Sequence, residues 1–222
     1  MNDVAYRRWR EFWLTLGVFF VATLPLIILW RVPWARGYAL MVFFLGCTVA
    51  AAKFVSRELA ASGDAATRDS DGPRPTWGRM IAPLAVALIV AAAVFSAICW
   101  IFRAGVEDPP VAPMLAFMSI VPVLGITPYF VLRFGKLLPA VVFTVALVGG
   151  MKLLGCLVVV LIYGWDADEQ GRLGLPWDRP DLLVWLFWSF TAALSLTFFL
   201  LAARRFREMS PWTVGRAFAP QG

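Results

Sequence analysis

The chain has 222 residues, of which 61% are hydrophobic and 15% charged, and it carries a net charge of +6. Soluble domains carry about 25% charged residues. So little charge cannot cover a water-facing surface of this size, and a soluble globular protein is excluded. Each helical crossing of a bilayer needs roughly 20 apolar residues, so the length fits about six crossings with short connections and no separate soluble domain.

The expected architecture is an all-α polytopic bundle, residues 1–222 forming one transmembrane domain. A basic, aromatic leader, 2–11, precedes a first span at about 12–30. That stretch is too long for a signal-peptide core, and Pro33 and Trp34 spoil a small-residue cleavage site after it, so an uncleaved anchor is expected. The second span, about 38–55, follows a very short turn, which makes the first two helices an antiparallel pair. Residues 56–79 then turn polar, with Asp69-Ser70-Asp71-Gly72 and Pro73-Arg74-Pro75, and read as a flexible loop with little to bury.

The third span, about 80–102, is rich in Ala and Val. The fourth, about 111–132, is interrupted by Pro113, Pro122 and Pro128. Proline removes a backbone donor and kinks a helix. In lipid the freed carbonyls need protein or water, so this span is expected inside the bundle. The fifth span is about 137–163. A second polar loop, 164–181, carries five acids, and the sixth span is about 182–203.

Basic residues set the orientation. With the N-terminus in the cytoplasm, 14 Arg and Lys lie inside and five outside (Arg31, Arg36, Arg103, Arg172 and Arg179). Both termini and 56–79 are then cytoplasmic, and 164–181 is external. Arg outnumbers Lys 17 to 3 beside abundant Ala, a codon usage that points to a bacterium and hence to its inner membrane. Between the spans, the basic segments face anionic lipid headgroups, and no nucleic-acid partner is expected. Trp13, Trp30, Trp34, Trp100 and Trp165 fall at or just beyond span ends, where amphipathic rings favour the headgroup layer.

Little in the chain could carry covalent chemistry. There is no His, and no Asp or Glu lies within a span. Proton relays and intramembrane proteases need such groups at depth. Cys47, Cys99 and Cys156 sit in apolar spans without metal-ligand spacing and read as small buried hydrophobes. No enzyme activity, cofactor or metal site is expected. Asp166, Asp168 and Glu169 could meet a hard cation, but lack the glycine punctuation of a calcium loop and read as a solvated surface. The small-residue pairs Gly46/Ala50, Ala87/Ala91, Ala93/Ala97 and Ser189/Ala193 permit close helix packing.

Lys152 is the single charge deep inside a span, which makes it the candidate functional residue. Gly149, Gly155, Cys156 and Val148 surround it at helical spacing, leaving room for a neighbouring helix. Two readings stay open. Lys152 contacts an anionic substrate or a partner subunit, or it is structural, donating to carbonyls freed by the prolines or to a hydroxyl such as Ser119 or Thr127.

The layout resembles the exporter-type permease subunits of ATP-binding-cassette transporters. The resemblance rests on six spans, the leader Tyr6-Arg7-Arg8-Trp9-Arg10, the loop 56–79, the aromatic outer segment 164–181 and the basic exit Ala203-Arg204-Arg205-Phe206-Arg207. It implies a permease-like or accessory membrane subunit of a transport complex, as a homo- or hetero-oligomer. No ATP-binding motif is present, so any ATPase would be a separate chain. The flexible reading of 56–79 departs from the family, which places a helix there to dock on the ATPase. The alternative is a structural or assembly protein of the inner membrane.

Overall fold

The computed structural model describes residues 3–29, 33–68, 76–102, 111–163 and 182–209. They form six helices: α1 Asp3–Ile28, α2 Pro33–Arg68, α3 Trp77–Phe102, α4 Val111–Phe134, α5 Leu137–Tyr163 and α6 Leu182–Glu208. No strand occurs among the described residues, and the all-α bundle expected from composition is found. Within those residues, α1, α2, α3 and α6 each hold a stretch long and apolar enough to cross a bilayer. In α4 and α5 the corresponding described stretches are the shorter Met118–Phe134 and Leu137–Met151. The chain is a multi-pass membrane protein by these helices.

α1 and α2 pair closely, and α4 takes the centre, touching α2, α3, α5 and α6. Its buried stripe runs through Ile120, Val123, Ile126 and Val131, none more than 4% exposed. Pro122, Gly125, Thr127 and Pro128 are buried as well. The proline-bearing span therefore lies where neighbouring helices, not lipid, meet its freed carbonyls. The helix runs on through both prolines, although the sequence suggests interruptions. It stops at Gly135, whose φ of 65° suits a residue without a Cβ. The Gly135 amide donates to the Val131 carbonyl at 2.9 Å, closing the end of α4 and leading directly into α5.

An aromatic core holds the first three helices. Phe43 of α2 stacks on Phe95 of α3 with ring centroids 4.4 Å apart, and Phe20 of α1 meets both. A second aromatic group joins α4, α5 and α6: Phe130 sits between Phe134, Phe143 and Phe198. Two of the four small-residue pairs, Gly46/Ala50 and Ala87/Ala91, are buried at helix contacts. Ala93/Ala97 and Ser189/Ala193 face outwards.

The expected loop 56–79 is corrected at both ends. Residues 56–68 continue α2, and 77–79 open α3. With 36 residues at 1.5 Å each, α2 is about 54 Å long, well beyond a hydrocarbon core of about 30 Å. The polar composition hides the reason. Ala51, Ala52, Val55 and Leu59 form a buried stripe at helical spacing, and Arg57 pairs with Glu11 of α1. Lys53 adds a hydrogen bond, donating to Thr15 Oγ1 at 3.3 Å. The basic leader is helical too from Asp3 onwards, as the start of α1. Residues 69–75 and the acidic segment 164–181 lie outside the described residues.

Candidate functional site

Lys152 lies in α5, whose side chains next to it are only partly described. Its own side chain is outside the described set, as are those of Gly155 and Cys156. By backbone position it lies about 16 Å from the Tyr163 end of α5 and about 22 Å from the Leu137 end, at 1.5 Å per residue. Both distances keep it away from either helix terminus.

The preceding turn of α5 borders a small, largely apolar recess into which Met118 and Trp188 also face, with Ser119 and Thr191 as its two hydroxyls. Val148 and Met151 line a small cavity together with Phe44 of α2, Ser119 and Pro122 of α4, and Thr191 of α6. The cavity volume is about 10 Å³, the space of one water molecule. Pro122 cannot donate to the carbonyl of Met118, one turn earlier, so a backbone acceptor is left at this same level. α4 thus brings a freed carbonyl and a hydroxyl to the turn of α5 that precedes Lys152.

The two hydroxyls that the sequence suggests as partners separate here. Ser119 belongs to the recess beside Met151. Thr127 lies two turns further along α4, about 12 Å away by helical rise. Its Oγ1 is fully buried and has no hydrogen-bond partner. Other hydroxyls at helix contacts satisfy themselves locally: Thr48, Thr144 and Ser195 each donate to the carbonyl four residues back, at 2.7–2.9 Å. Sequence reasoning missed Thr191, because a lone threonine in an apolar span carries no signal until the helices are packed.

The glycines of α5 leave the room expected of them. A Cβ added at Gly149 or Gly150 would meet nothing within 4 Å. Among the described residues nothing fills the room they leave, and Leu153, Leu154 and Leu157 beyond them are more than half exposed. The close approach occurs instead at Gly125 of α4, where a Cβ would overlap the Ser195 carbonyl oxygen of α6. Gly125 supplies the small surface that lets α6 seat against the central helix.

Cys47 and Cys99 are free and buried, as small hydrophobes are. Among the described residues no three His, Cys, Asp or Glu side chains converge as a metal site would require. Trp13 and Trp100 stand exposed at 42% and 72%, rings turned out of the bundle; the side chains of Trp30, Trp34 and Trp165 lie outside the described residues. No family model, curated protein or solved structure matches this chain.

Proposed function

We propose that this chain is a permease-like or accessory membrane subunit of a transport complex in a bacterial inner membrane, with both termini in the cytoplasm. It supplies a helical path or scaffold and performs no covalent chemistry. The carrying observation is the centre of the bundle. A proline-bearing helix, α4, is surrounded by four others, and a small, largely apolar recess beside it, with Ser119 and Thr191 in its lining, meets α5 in the turn next to Lys152. Buried backbone acceptors and hydroxyls at mid-helix, one turn from the backbone position of an intramembrane lysine, suit the handling of a polar or anionic group inside a membrane. The long α2 supports the same reading. Its extension past the apolar core, braced on α1 by Arg57 and Glu11, offers a rigid element for a separate ATPase subunit.

Lys152→Met tests the proposal, since it keeps side-chain length and removes the charge. A transport or partner-binding role predicts a folded variant that loses activity or complex formation. A structural role predicts tolerance or added stability, because a charge held by dipoles often does no better than a packed apolar group. Full stability with full function would leave the chain as a scaffold, the reading favoured by the tight Gly125–Ser195 seat.

A further inference from the structure

Two buried N–H donors lack acceptors at the end of the bundle where α3 begins and α6 finishes. The Trp77 ring, 8% exposed, packs on Phe199 and Phe206 of α6 with centroids 5.8 and 5.5 Å away. Its Nε1–H has no partner, and neither has the Nε–H of Arg205, the residue just before Phe206. A buried donor left unpaired is costly, and more so when it is cationic.

The described carboxylates of this end are already engaged. Glu11 holds Arg57 and Glu208 holds Arg204, while Glu58 has an interaction of its own. Arg79, Arg133, Lys136 and Arg207 are exposed and add positive potential. A water could accept from the indole but carries no charge to pair with the half-buried guanidinium of Arg205. The missing group is therefore an acceptor with negative charge and more than one oxygen. Phosphate meets this demand, and guanidinium groups bind it with charge-assisted hydrogen bonds.

We propose that the junction of Trp77 and Arg205 binds the phosphate of an anionic phospholipid from the adjoining leaflet. The apolar stretches Trp77–Ile101 and Trp188–Glu208 both reach a terminus here, so the junction lies at the level of headgroups, where tryptophan is favoured. A bound lipid there would tie α3 to α6, whose contact at this end is made by aromatic rings. The site stands whether or not the chain transports anything.

The full chain, purified in mild detergent, is offered phosphatidylglycerol, phosphatidylcholine or inorganic phosphate. Lipid retention is read by native mass spectrometry and stability by the melting temperature. Phosphatidylglycerol should be retained over phosphatidylcholine. Trp77→Phe, which keeps the ring and removes the donor, and Arg205→Gln should each weaken retention about tenfold, as expected for a charged hydrogen bond. Arg207→Gln, at an exposed cation of the same end, should change it little. Equal weakening by Arg207→Gln would mean diffuse charge attraction and would overturn the site. Inorganic phosphate that raises the melting temperature as much as the lipid would assign the site to soluble phosphate and overturn the lipid source. Absence of any preference for phosphatidylglycerol would overturn both. If Trp77→Phe does not fold, Arg205→Gln alone carries the comparison with Arg207→Gln.

Discussion

Gly125→Ala should be among the most damaging small substitutions in this protein. The added methyl would overlap the Ser195 carbonyl oxygen and lie 2.8 and 3.0 Å from the Ser195 carbonyl carbon and Cα. These are backbone atoms, so no side chain can swing away, and α6 must retreat. Overpacking of this kind costs about 1–3 kcal/mol. A gap of about 0.5–1 Å along the rest of the α4–α6 contact would forfeit a further quarter to half of each dispersion well. Alanine returns up to about 1 kcal/mol of helix propensity, leaving a net loss of about 2 kcal/mol. Gly149→Ala is the internal control, because its Cβ meets nothing and only the propensity gain of about 1 kcal/mol remains. The two variants should differ by about 3 kcal/mol, or more than a hundredfold in the unfolding equilibrium. Titration of the purified protein with a denaturing detergent in mixed micelles, followed by far-ultraviolet circular dichroism, measures that difference. Equal stability of Gly125→Ala and Gly149→Ala would refute the placement of α6 against α4.

Leu59→Ala should cost about 2–4 kcal/mol in the same titration, because Leu59 is fully buried in the part of α2 that looks like loop; a loss under 0.5 kcal/mol would mean that 56–68 is not docked. Phe95→Ala should cost about 3–5 kcal/mol, since its ring is stacked on Phe43 and completely enclosed, and a well-folded, near-wild-type variant would contradict the α2–α3 packing. Gly135→Ala should lose about 1 kcal/mol from its positive φ, read as a lower unfolding midpoint. Cysteines placed at 68 and 170 should react with a membrane-impermeant reagent added from outside only at 170; reaction at 68 alone would invert the orientation.

Much of the fold was legible in the sequence because lipid leaves few options. Apolar runs of about 20 residues have to be helices, and the prolines of α4 foretold a helix sheltered by protein. The α2 extension was hidden for a specific reason. Ser56, Arg57, Glu58 and the Ser62-Gly63-Asp64 run look like loop in a window of composition. The buried stripe Ala51, Val55, Leu59 is sparse, and the ion-pair partner of Arg57, Glu11, lies 46 positions earlier. Only the packing of the bundle around α2 reveals that stripe as buried. The candidate site was half legible. Lys152 announces itself as a charge in an apolar span, and the Pro122 effect follows from covalent structure. Which hydroxyl lies beside that turn, Ser119 or Thr127, depends on the relative height of α4 and α5, and local sequence does not encode that height. The close contact at Gly125 was hidden for the same reason, since nothing local sets it apart from Gly149 and Gly150, at which a Cβ would meet nothing.

The composition of the assembly purified from native membranes in mild detergent tests the transport reading most directly. The account predicts a hetero-oligomer in which this chain is held, in fixed stoichiometry, with a subunit that binds and hydrolyses ATP. A homogeneous preparation of this chain alone, or with assembly factors that bind no nucleotide, would contradict it.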